Sequence, residues 1–263
     1  MPHSMNQGPL QDCLPKGDSL ANDAPQYPVC FRNSRAASAI YRVNSERARA
    51  RLENTGTYPL VIGGSALLSI TWFDYAESDL GAYRELSVGI IVNPTGSLLR
   101  TAAAALLLRA FTLGAFVIAL PVSSEAARAA GVNHLGLPKT LLQLPLTWTS
   151  RYLDATAMDG QQRVLTMQLP LGFGPKIRVP ALVVFSNLER QLLRTTVQTE
   201  FHSQIDLVGR PQLRLEAPDH PLCRELAAFD LERTKPLAVV HGPIQSASLL
   251  APEVVSHQRS TSR

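Results

Sequence analysis

Phe73-Asp74-Tyr75-Ala76-Glu77-Ser78-Asp79-Leu80-Gly81-Ala82-Tyr83-Arg84-Glu85-Leu86 joins two apolar runs, and what flanks it sets the fold class. Upstream, Leu60 to Ile70 is dominated by apolar residues around Gly63-Gly64. Downstream, Leu86 to Val92 alternates loosely before Asn93-Pro94. Both read as strands that end in turns. Further along, Arg163 to Leu169, Ala181 to Phe185, Thr195 to Thr199 and Leu213 to Leu215 are short strand candidates separated by Gly, Pro and polar residues, so the second half reads as a β meander. The Gly/Pro stretch Leu171 to Lys176 reads as a hairpin connection.

Helices are few. Ala37 to Arg51 reads as a strand followed by a helix, with Asn44 or Ser45 as cap and Glu46 in the first turn. Short helices are expected at Ser124 to Ala130, capped by Ser123 or Ser124 and ended by Gly131, and at His220 to Ala228. No alternating βαβ pattern supports a Rossmann fold. The economical inference is a mainly β (α+β) single domain of the barrel or sandwich kind with a few short helices. It spans residues 31–252, with flexible tails at 1–30 and 253–263, both polar and without periodicity.

With 45% hydrophobic and 17% charged residues, the 263-residue chain has the composition of an ordinary globular protein. Its net charge of +4 comes from scattered basic residues without interleaved aromatics, which argues against nucleic-acid binding. Cys13, Cys30 and Cys223 form no CxxC pair, and a reducing compartment is the expectation. The first thirty residues lack the basic start and apolar core of a secretory signal, so a cytoplasmic location is expected. Ala102 to Leu120 is nearly long enough to cross a bilayer. Arg109 and Gly114 interrupt it, which points to two buried elements of a soluble core and no membrane partner.

Only four lysines are present: Lys16, Lys139, Lys176 and Lys235. Lys139 follows Pro138 within Leu135-Gly136-Leu137-Pro138-Lys139-Thr140-Leu141-Leu142. Burial there would disfavour its charge and leave a free amine able to attack a carbonyl. From spacing alone the commoner reading is a surface lysine after a turn, its stem covering apolar neighbours. Glu85, beside the start of a strand, is either a proton-shuttling carboxylate in a pocket or one more charge on a solvent face. Asp74, Glu77 and Asp79 have no histidine at ligand spacing, so no metal is expected. Trp72, Tyr75 and Tyr83 could line a pocket, although core packing is the commoner use of aromatics.

Taken together, Phe73 to Leu86 and Ala129-Ala130-Gly131-Val132-Asn133-His134-Leu135-Gly136-Leu137-Pro138-Lys139-Thr140 resemble the two signature segments of the acetoacetate decarboxylase-like superfamily. In that family an extended Y-x-(D/E)-S-x-x-G-x-Y-x-E segment leads into a strand, and a later G-R-E-x-x-G-x-P-K segment delivers a Schiff-base lysine. The matching residues are Tyr75, Glu77, Ser78, Gly81, Tyr83 and Glu85, then Gly131, Gly136, Pro138 and Lys139. A looser likeness extends over about residues 35 to 250.

The resemblance implies a cofactor-independent Schiff-base lyase for a small keto acid, with Lys139 as imine nucleophile and Glu85 as acid/base or orienting carboxylate. Decarboxylation and aldol/dehydration chemistry both begin from that imine. Activation of such a lysine by desolvation or a nearby cation is established for acetoacetate decarboxylase itself. No metal or organic cofactor is implied, and family members commonly form homo-oligomers. The chain departs from the pattern at Val132-Asn133, which replace Arg-Glu, and at Thr140, where those decarboxylases carry a second lysine. Ile70 falls where they carry a second active-site glutamate, and Arg35 is the nearest counterpart of their substrate-binding arginine. These departures motivate the alternative reading, a non-catalytic small-molecule-binding member of the same fold.

Overall fold

The computed structural model describes residues 26–93 and 114–255. Along them run β1 (Val29–Asn44), α1 (Ser45–Arg51), β2 (Tyr58–Pro59), β3 (Val61–Ile62), β4 (Ser65–Ser78), β5 (Tyr83–Asn93), β6 (Gly114–Val122), α2 (Glu125–Leu135), β7 (Lys139–Leu141), β8 (Leu146–Trp148), β9 (Tyr152–Asp159), β10 (Gln162–Pro170), β11 (Lys176–Leu188), β12 (Gln191–Asp206), β13 (Gln212–Leu215), α3 (Pro221–Ala227), β14 (Pro236–Leu249) and β15 (Glu253–Val254). The expected mainly β architecture holds.

Seven strands close on themselves in the order β5-β4-β1-β14-β12-β11-β6, with β6 pairing back onto β5. Closure removes the exposed edges that an open sheet would present. Antiparallel hairpins supply β4–β5 and β11–β12, whereas β11–β6 is parallel. A second sheet, β13-β10-β9-β8, packs against the outside of the barrel. The expected meander is therefore split between two sheets. Leu171 to Pro175 does not close a hairpin but carries the chain from β10 in one sheet to β11 in the other.

The segment Phe73 to Leu86 is itself a hairpin. β4 runs on through Ser78, past the expected end at Ile70, and β5 begins at Tyr83, so that Tyr75 pairs with Tyr83 and Phe73 with Glu85. Ser78 accepts the Leu80 N–H at 3.1 Å, and Gly81 takes φ +82°, a value that favours glycine. Two of the segment's acidic side chains, Asp74 and Asp79, pair with arginines of the neighbouring strands. Asp79 meets Arg32 at 3.2 Å, and Asp74 meets Arg84 at 3.4 Å and the Trp148 indole N–H at 3.0 Å.

Strand β4 is buried on both faces for much of its length, and its period of two sorts residues between two interiors. Ala66, Leu68, Ile70 and Trp72 enter the core shared with the outer sheet, where the Trp72 indole N–H reaches Met167 Sδ at 3.4 Å. Leu67, Ser69, Thr71, Phe73 and Tyr75 face the barrel cavity. In β1, Asn33 has φ +48°, while the register with β14 is unchanged across it, Arg32 lying opposite Ser246 and Ser34 opposite Ile244. Cavity-lining parity switches across Asn33, from Val29 and Phe31 to Ala36, Ser38 and Ile40.

Asn44 caps α1, its Oδ1 accepting from the N–H groups of Glu46 and Arg47 at 2.9 and 3.0 Å. Cys30 is disulfide-bonded, and Cys223 is a buried free thiol. Among the described residues, no helix is long and apolar enough to cross a membrane. Of the apolar segment Ala102 to Leu120, the stretch from Gly114 is strand β6, and residues 102–113 lie outside those described.

Candidate active site

Strand β6, helix α2 and strand β7 form a parallel crossover, with Leu120 paired to Lys139. Ser124 caps α2 by accepting from the Ala127 N–H. Gly131 does not end the helix as expected. The helix continues to Leu135, and Gly136 stops it in the left-handed region at φ +58°. A β-carbon on Gly136 would lie 2.4 Å from the Asn187 carbonyl oxygen, so close approach to β11 also demands glycine there. Pro138 then turns the chain and Lys139 enters β7.

What Gly131 provides is space for Lys139. Its missing β-carbon would lie 2.4 Å from Lys139 Cδ and 2.5 Å from Cε, so the lysine stem lies directly over the helix backbone. It carries the amine inward. The Lys139 side chain is 6% exposed, and Nζ donates to Glu85 Oε2 at 2.9 Å. Glu85, third in β5, is itself 10% exposed at its side chain, and its Oε1 accepts from the Tyr75 hydroxyl at 3.4 Å.

The Tyr83 ring centroid lies 5.7 Å from Nζ. Tyr83 and Tyr75 pack with centroids 4.8 Å apart, and Phe31 and Phe73 extend the cluster at 4.6 and 5.4 Å from Tyr75. Burial, reinforced by the Glu85 charge, pushes both phenols well above the ordinary tyrosine range. They are neutral donors at neutral pH.

These groups lie at one side of a cavity of about 290 Å³ inside the barrel. Lys139 and Glu85, separated by 54 positions in sequence, are brought together there, and of the three aromatics considered Tyr75 and Tyr83 line the cavity while Trp72 does not. The alternation Tyr83, Glu85 opposite Phe73, Tyr75 carried that signal, hidden by the commoner use of aromatics in cores.

Other expected positions fall elsewhere. Ile70 is fully buried in the outer core, and its cavity-facing neighbours are Ser69 and Thr71. Thr140 and Asn133 are exposed. Arg35 stacks over Trp148 at 5.0 Å and lies 3.9 Å from Asp74, outside the cavity.

A sequence profile of the acetoacetate decarboxylase (ADC) family matches residues 15–187, more than half of the chain. The chain belongs to this family. Similar solved structures include the acetoacetate decarboxylase of Legionella pneumophila, with 16% identity, a TM-score of 0.66 and coverage of 97% of this chain and 98% of that one. The enduracididine biosynthesis enzyme MppR complexed with pyruvate shares 16% identity at a TM-score of 0.60, covering 91% and 94%. An acetoacetate decarboxylase-like enzyme from Sphingomonas wittichii shares 15% identity at 0.60, covering 91% and 96%. At these identities the likeness establishes the ADC fold. No curated protein matched the chain.

Proposed function

We propose that this ADC family member is a cofactor-independent Schiff-base lyase acting on a keto acid, with Lys139 as the nucleophile and Glu85 as its acid/base partner. The reading rests on one observation above all: an enclosed lysine amine held 2.9 Å from a buried carboxylate inside a cavity.

Glu85 accepts a proton from the Lys139 ammonium, leaving a neutral amine whose lone pair attacks the substrate carbonyl carbon. The carbinolamine takes a proton back from Glu85 and expels water, giving a protonated imine. That cation is the electron sink. Cleavage of the bond to a departing carboxylate as carbon dioxide, or loss of an α-proton, sends an electron pair into it and yields an enamine. Protonation at carbon and hydrolysis release product and restore the amine. The Tyr75 hydroxyl, donating to Glu85 Oε1, orients the carboxylate through the cycle.

Borohydride reduction tests this reading. With a panel of keto acids, one reduced adduct per chain is expected on Lys139 by peptide mass spectrometry, and none in Lys139→Ala. Glu85→Gln should form the adduct about 10²- to 10⁴-fold more slowly. Ligand binding without an adduct from any carbonyl would overturn the catalytic reading in favour of a non-catalytic binding member of the fold.

A further inference from the structure

The cavity is much more apolar than a small keto acid requires. Its lining includes Val179, Val197, Phe201, Val240, Ile244 and Ala247 from β11, β12 and β14, which pack in one apolar cluster with Phe31 and Tyr83. Several hydroxyls lining the cavity have partners within the protein, while the buried Tyr27 hydroxyl has none among the described residues. Ser38 Oγ and Thr71 Oγ1 bond each other at 2.8 Å, Thr199 donates to the Val179 carbonyl, and Ser69 donates to the Gly89 carbonyl at 3.4 Å.

Among the described residues, the charged groups lining the cavity are Lys139 and Glu85, and they pair with each other. Arg35 lies outside. A carboxylate set against these apolar side chains would lose its hydration with no unpaired cation among the lining residues to receive it. A hydrocarbon chain faces no such penalty. Every methylene buried there gains the ordinary transfer free energy, and apolar cavities of this kind hold apolar guests in preference to water. A volume of about 290 Å³ is at the lower edge of what encloses a drug-sized ligand.

We infer that the carbonyl substrate carries an extended apolar chain, which fills the barrel between β11, β12 and β14 while its carbonyl carbon meets Lys139 Nζ. The inference rests on the imine reading for the carbonyl end and on the cavity walls alone for the chain. It narrows the substrate to ketones, aldehydes or keto acids whose one polar end remains at the Lys139–Glu85 pair.

The test uses the full chain and two matched pairs of probes, acetone with methyl hexyl ketone and pyruvate with its 2-oxononanoate homologue. Half-saturation for borohydride trapping is measured for each. Octanol, which has the chain but no carbonyl, is scored separately by its shift of the thermal midpoint and by competition with trapping. Half-saturation at least about tenfold lower for each extended probe, with octanol competing, is expected, since each buried methylene contributes about 0.8 kcal/mol.

Equal or better trapping of the short probes, with no octanol binding, would overturn the apolar-chain inference and leave the imine standing. Octanol binding without trapping of any carbonyl would overturn the imine and uphold an apolar-chain ligand. Neither trapping nor octanol binding would overturn both.

Discussion

A single hydrogen at Gly131 leaves the room along which the Lys139 amine is carried inward. Any β-carbon there would overlap Lys139 Cδ and Cε, and because the lysine is fixed at its own Cα by pairing with Leu120, the displaced part is the end that carries Nζ. Gly131→Ala should therefore slow adduct formation by roughly 10²-fold, the scale of a misplacement of about 1 Å. The cost in stability should be only about 1–3 kcal/mol, as for other overpacked sites. Trapping kinetics alongside urea unfolding separate the two effects, and an unchanged trapping rate would show that Gly131 does not set the path of the lysine. In the sequence this glycine resembles a helix stop, because a glycine after a capped apolar turn usually is one. The close approach of a side chain eight residues further on is not visible in any local pattern.

At the scale of the element, β4 carries two functions on alternate residues. Its odd positions from Leu67 to Tyr75 line the cavity, and its even positions from Ala66 to Trp72 build the outer core. Trp72→Ala should therefore destabilise the fold by roughly 3–5 kcal/mol, the usual loss for a large buried aromatic. It should leave octanol binding to the folded protein unchanged, and loss of binding before unfolding would contradict the separation of the two faces. The apolar part of β4 was legible up to Ile70. Its continuation through Ser78 was not, because Asp74, Glu77 and Asp79 break the apolar alternation. Arginines from β1 and β5 balance Asp74 and Asp79, and those pairings exist only once the sheet has formed. The reverse holds for α2, whose start at Ser124 was legible from a local cap.

At the scale of the whole molecule, barrel closure buries groups that are hydrated in the unfolded chain, and tyrosines report it. Burial raises the phenol pKa of Tyr27, Tyr41, Tyr75 and Tyr83 above the ordinary value of 10.0. Because the folded values are the higher ones, their contribution to stability is fully present below about pH 10. It falls as pH rises from there toward the folded values, since the unfolded chain ionises first. Ultraviolet titration should accordingly show these four phenols ionising late and together with loss of near-ultraviolet circular dichroism. Their ionisation near pH 10 with the fold intact would contradict the buried cluster.

The sequence by itself determined the β-rich class, narrowed the caps of α1 and α2 to Asn44 or Ser45 and to Ser123 or Ser124, and carried the two segments that resemble the ADC family, because each depends on residues within a few positions of one another. Tertiary structure alone decided that β5 returns to β6, that Ile70 faces away from the cavity while Tyr75 faces into it, and that Glu85 meets Lys139. Those outcomes depend on sheet register and barrel closure, which couple residues as distant in sequence as Val29 and Leu249 through a shared interior, so no local pattern contains them.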